Sequence, residues 1–142
     1  MTSNRETARD ALAALLTTAL SSLVEQVYNY RIGDFAGASP VVTVSSAGTV
    51  RRRATLQGSR ATVYLQVDVF VLYSDGDAWG EDEAEDRIDA IESAIAGVVD
   101  ANQQTDDWIA LSHSERSQRV DVEIGGVEYI REMITLAAEV WG

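Results

Sequence analysis

Ala61–Ser74, ATVYLQVDVFVLYS, is the stretch that decides the fold. Val63, Leu65, Val67, Val69 and Val71 fall on one side of a two-residue repeat, and Tyr64, Gln66, Asp68, Phe70 and Leu72 on the other. Alternation of this length, in β-branched and aromatic residues, predicts a strand with one wholly apolar face. On the second face, Gln66 and Asp68 need water or polar partners while Phe70 and Leu72 need cover. Such a strand belongs in the middle of a sheet, with helices packed over its Val/Leu face. None of its side chains is an obvious nucleophile, base or ligand.

On either side of it the pattern changes to helical. Before it, Ala8, Leu12, Leu15, Leu16, Ala19, Leu23 and Val27 recur at three- and four-residue steps, predicting a five-turn amphipathic helix behind the caps Thr2, Ser3 and Asn4. After it, Ala84, Ile88, Ile91, Ile95 and Val98 form the apolar stripe of a second helix over 81–99, with Asp82, Glu85, Asp89 and Glu92 on its solvated face.

The remaining pieces read as loops and strands. Tyr28–Ser39 is broken by Gly33 and Gly37 and reads as a loop. Its Tyr30 and Phe35 are either a partner surface or cover for the end of the sheet. Pro40–Ser46 is a short strand, Ala47-Gly48 a turn, and 49–56 a further strand, so two hairpins in series are expected. Trp108–His113 is a short strand. Arg119–Ile124 alternates with Val120, Val122 and Ile124 inward, and Gly125-Gly126 is a hairpin turn into a last strand over Val127–Trp141. The expected architecture is α+β: one mostly antiparallel sheet with two helices on one face, forming a single domain over residues 1–142.

Composition narrows the function. With 46% hydrophobic residues and one proline the chain is globular. No cysteine is present, which excludes a disulfide framework, a zinc–thiolate site and a cysteine nucleophile. No apolar run approaches the roughly 20 residues that span a bilayer. The polar start, MTSNRETARD, is not a signal peptide, so the expected compartment is cytoplasm or a particle assembled there. The net charge of −12 opposes nonspecific attachment to phosphate backbones.

The charge is also segregated. All 11 basic residues are arginines, and Arg51, Arg52, Arg53 and Arg60 form one cluster in a stretch with no acid between Asp34 and Asp68. Twelve of the 23 acids lie between Asp75 and Asp107, offset only by Arg87. The arginines read as a solvated edge that blocks aggregation, as a contact for an acidic neighbour, or least as a nucleic-acid site. Asp75, Asp77, Gly80 and Asp86 match positions 1, 3, 6 and 12 of a calcium-binding EF-hand loop. Trp79 stands where a ligand is needed, however, and a strand precedes the loop, so no metal is expected. His113, the single histidine, lacks a partner at a mechanistic spacing and reads as a surface or interface residue. No phosphate loop, paired carboxylates or triad is present, so no catalytic residue, cofactor or enzymatic activity is expected.

The leading helix with its YNYRIGDF loop, the VYLQVDVFVLYS strand followed by EDRIDAIESAIAGVV, and the closing GGVEYIREMITLAAEVW together resemble the tail terminator and minor tail proteins of long-tailed bacteriophages. The resemblance implies a virion protein at the neck end of the tail. There it would form a hexameric ring that ends tube polymerisation and presents the joining surface for the head connector. Its partners would be its own copies, the tail tube protein and the connector, with DNA passing the lumen without specific binding. Related neck proteins, head-closure or tail-completion factors, share that setting. A small α+β ligand-binding domain or enzyme is the reading from another class. The candidate subunit-contact residues are Arg51, Arg52, Arg53, Arg60, Tyr30 and Phe35, with Asp75, Asp77 and Trp79 of the acidic loop.

Overall fold

The computed structural model describes residues 4–31, 35, 38–55, 58–72, 81–114 and 116–141. In chain order they form α1 (Asn4–Ala19), β1 (Gln26–Tyr28), β2 (Val41–Thr55), β3 (Gly58–Leu72), α2 (Glu81–Ala101), β4 (Ala110–His113), β5 (Gln118–Ile124) and β6 (Val127–Trp141). The six strands make one sheet in the order β1-β2-β3-β6-β4, with β5 also paired to β6. Every pairing is antiparallel except β1 with β2. The fold is α+β, and β3 lies between the two other long strands.

The two-residue repeat of β3 does what its composition dictates. Val63, Leu65, Val67, Val69 and Val71 are buried in one cluster with Ala8, Leu12 and Leu16 of α1 and Ala84, Ile88, Ile91 and Ile95 of α2. Both helices therefore sit on the same face, each through the stripe that its three- and four-residue spacing produces. The last strand adds Ile130, Ile134, Leu136, Ala138 and Val140 to that cluster.

The expectation for α1 is corrected at its end. The helix stops at Ala19, and Val27 lies in β1, parallel to β2 with Gln26 opposite Val41. Local competition for backbone groups accounts for the stop. Thr17 and Thr18 hydroxyls donate to the carbonyls of Ala13 and Ala14 at 2.7 and 3.3 Å, and Ser21-Ser22 come next, residues that favour caps and turns over helix interiors. Leu23, Val24 and Val27 still pack against the core, so the apolar period persists while the backbone changes conformation.

The expected turn at Ala47-Gly48 is a β-bulge instead. The register steps from Ser46 opposite Leu65 to Gly48 opposite Tyr64, and Gly48 takes a φ of 137° that a side chain would resist. One long hairpin replaces the two expected, because β3 is a continuous template along the whole of β2. The extra residue also reverses the parity of β2 from Gly48 as far as a second register shift between Arg53 and Thr55. Val42 and Val44 point to the helices, yet past the bulge Val50 and Arg52 share the opposite face with Thr62 and Arg60.

Among the described residues that opposite face is covered only at one end. Phe35, Val41, Phe70 and Tyr129 form a second cluster, with Val122 and Ile124 packed against it. Val120 is 40% exposed, which corrects its assignment as inward. It shares the face with Val122 and Ile124 but lies opposite Arg131, beyond the cover. Gly125 and Gly126 hold φ of 60° and 79°, the left-handed pair that a two-residue hairpin needs. Trp108 precedes rather than begins β4; it is buried, and its indole N–H donates to the Asn102 carbonyl at 2.7 Å just past α2.

Candidate assembly interface

The hairpin that joins β2 to β3 carries the cationic end of the molecule. Register brings Arg52 opposite Arg60 and Arg60 opposite Trp141, with Val50, Thr62 and Glu139 in the next row on the same face. The Arg60 guanidinium lies 4.9 Å from the centre of the Trp141 ring and 3.8 Å from the Glu139 carboxylate. Those contacts hold Arg60 beside Arg52 against the repulsion of like charges on paired strands. Arg51 points to the other side of β2 and is exposed, as is Arg52. Arg5 of α1 reaches the same end, donating to Thr49 Oγ1 at 3.3 Å, and Asn4 donates to the Trp141 carbonyl. Among the described residues neither Arg51 nor Arg52 has a carboxylate partner.

The acidic end is built on α2. Glu83, Asp86 and Asp89 are exposed on its outer surface. Glu85 receives a two-pronged bond from Arg119 of β5, with N···O distances of 2.7 and 2.8 Å. Those bonds lower the Glu85 pKa below the usual carboxylate value despite some desolvation, and they raise that of Arg119.

Glu132 stands among the apolar residues of the helix-side face of β6. It is 6% exposed, accepts a bond from Ser117 Oγ at 3.0 Å, and lies 4.0 Å from Arg119. Burial raises its pKa, and the charges of Glu92 and Asp89 push the same way against Ser117 and Arg119. A carboxyl whose pKa is raised on folding contributes stability that is full below the unfolded value and is lost as pH rises through the folded one. Glu132→Gln removes that loss. Its melting temperature should therefore exceed the wild type's at pH 7, and the difference should vanish near pH 4. A wild-type advantage that grows with pH would contradict the assignment.

The two charged ends lie far apart. Nine residue steps along β3 take Arg60 to Val69, which is opposite Glu132, itself opposite the Arg119 that grips Glu85. At roughly 3.3 Å per residue the separation is about 30 Å.

Of the residues singled out from sequence, the structure brings Arg51, Arg52 and Arg60 together, with Arg53 in the backbone opposite Ser59. It does not add the aromatics to them. Phe35 is 4% exposed within the second cluster, so it covers the sheet's end and presents no free surface. Tyr30 is 54% exposed and stacks edge-on to Tyr28 at 5.8 Å, beside the opposite end of β2 from the arginines. Asp75, Asp77 and Trp79 lie outside the described residues, as does the first half of the EF-hand-like stretch; its last position, Asp86, is inside α2. Sequence reading missed Val50, Glu139 and Trp141 as neighbours of the arginines.

Two cavities open among the described residues. One, of about 260 Å³, includes Arg31, Thr43, Asp68, Phe70, Glu123 and Arg131 in its lining. The other, of about 330 Å³, lies between Asn4, Thr7, Asp106, Asp107, Trp108 and Trp141. Among the described residues no group of three or more His, Asp or Glu side chains is placed to hold a metal ion. His113 is exposed at the end of β4, and no described helix is long and apolar enough to cross a membrane.

No family model matches the chain, and no curated protein matches it. Among solved structures, a chain from the virion of a native gene transfer agent particle superposes with a TM-score of 0.57 at 15% identity. The match covers 95% of this chain and 90% of that one. The two share a fold. Correspondence over nearly both lengths extends the likeness to the whole helix–sheet arrangement rather than to one hairpin or helix pair.

Proposed function

We propose that this chain is a non-enzymatic structural protein of a phage-type virion, and that it caps the completed tail tube as a hexameric ring. In that place it ends tube polymerisation and forms the surface on which the head connector seats, while DNA passes the lumen without specific binding. The fold shared with a chain of the gene transfer agent virion carries the reading. Charge at opposite ends of the molecule supports it, because a closed ring needs a head-to-tail contact between two different patches of each subunit. The net charge of −12 suits a lumen to which DNA does not adhere.

The test is electron microscopy of lysates from a virus with this gene disrupted. Overlong or irregular tails without heads are expected. Tails of normal length that fail to join heads would move the protein to the connector side of the neck, and intact particles would remove it from assembly.

A further inference from the structure

We infer that the exposed end of the sheet, a pad made by Val50, Arg52, Arg60 and Trp141, docks on the outward face of α2 in a second copy of this chain. The inference rests on the ring reading and names the two surfaces that meet. Val50 and Trp141 are 43% and 55% exposed, and they are two of the four large hydrophobic residues so exposed among the described residues. Register places both on one face, at one end, beside two arginines. An exposed tryptophan flanked by arginine is the composition that dominates the energy of protein interfaces. The pad is also preorganised: its side chains stand on paired strands, and Arg60 is already held by Trp141 and Glu139, so little order remains to be imposed on docking.

Charge selects the occupant. The pad carries Arg52 and Arg60, with Arg51 and Arg5 at its margins and Glu139 as the carboxylate that holds Arg60, so it bears excess positive charge on a chain of net charge −12. The outer surface of α2 exposes Glu83, Asp86 and Asp89, with Arg87 the single base on that helix. These surfaces lie about 30 Å apart along β3. One chain cannot bring its own pad to that acidic patch, so the complementary surface has to come from a neighbour. A contact between two unlike patches repeats from copy to copy, as closure into a ring requires.

The absence of cysteine from the chain makes the contact directly testable. Arg52→Cys and Asp86→Cys are introduced together into the full chain, in purified protein at high concentration and in particles, and treated with a short bis-maleimide. Within one molecule the two thiols are too distant to be bridged. The double variant should yield a ladder of linked oligomers, an equimolar mixture of the two single variants a linked dimer, and each single variant alone only background. The ladder should fade at about 1 M salt, where charges are screened within about 3 Å.

Arg52→Cys linking to itself as efficiently would show a two-fold contact and overturn the pairing. Equal linking when the exposed Asp121 replaces Asp86 as the second site would overturn it as nonspecific, and so would no product in either setting. The contact and the reading beneath it fail separately. Ladders together with intact particles after gene disruption would keep the contact and remove the tail-end role. Overlong tails without ladders would do the reverse.

Discussion

Replacing Arg131 by methionine should lower the stability of the fold by about 3–5 kcal/mol, because it strands a charge in the middle of the sheet. Asp68 is 1% exposed on the central strand. Its oxygens accept bonds from Arg131 Nη2 at 2.9 Å and from Gln66 Nε2 at 2.9 and 3.1 Å. Arg131 stands opposite Phe70 on the neighbouring strand and passes 5.6 Å from its ring to reach the carboxylate. Methionine preserves the stem that packs there but removes the cation, leaving the neutral Gln66 amide to serve a desolvated carboxylate. Urea unfolding should show a lower midpoint with an unchanged slope, since the surface exposed on unfolding hardly differs.

The double replacement Asp68→Leu with Arg131→Met should recover most of the loss. A buried ion pair is close to neutral against apolar groups of similar volume, while half of one is costly. The recovery is helped because Arg131 Nε is itself buried without a hydrogen-bond partner, so the double variant also removes an unsatisfied donor. The coupling between the two sites, read from the four-member cycle, should then be of the same order as the single loss. A loss well under about 1 kcal/mol for Arg131→Met would mean that water reaches Asp68 through the adjoining cavity.

This pair marks where the chain is legible and where it is not. The alternation of Val63 to Val71, the stripe from Ala84 to Val98 and the Gly125-Gly126 turn each encode their structure within a few residues, and together they determine the fold class. Asp68 equally declares that it needs a partner, but the partner is 63 residues away on β6. The same distance hides the docking pad. A hairpin brings Arg52 and Arg60 together, so their proximity can be read from sequence. Trp141 reaches them only through the β3–β6 register, and the chain between those strands is taken up by α2, β4 and β5 rather than by a tight turn that would set the count. The bulge at Gly48 shifts Val50, Arg51 and Arg52 by one face, an effect that a strand-and-turn reading of Ala47-Gly48 cannot supply. At the end of α1 the apolar period runs on unbroken from helix through turn into β1, so the period alone does not locate the boundary.

Phe35→Ala should lower stability by about 3–5 kcal/mol, the usual loss for truncating a buried phenylalanine, and Tyr30→Ala should change it by less than about 0.5 kcal/mol. Both aromatics belong to one candidate loop, yet their environments differ completely. The Phe35 ring packs 4.7 Å from Phe70 and 5.4 Å from Tyr129, centre to centre, in a cluster whose buried members number four among the described residues. So small a cluster has little with which to refill a vacated ring, and the Tyr129 hydroxyl, which donates to the Ala38 carbonyl at 3.1 Å, ties the same segment down. Tyr30 by contrast makes an edge contact with Tyr28 and is 54% exposed. Thermal melts and particle counts taken side by side separate packing from partner contact. Loss of stability for Phe35→Ala, with assembly retained at permissive temperature, would make Phe35 a core residue of the sheet's covered end. Loss of assembly at full stability would require Phe35 to leave its cluster in the particle and expose the sheet face beneath it. Phe70 and Tyr129 would then become part of the contact surface.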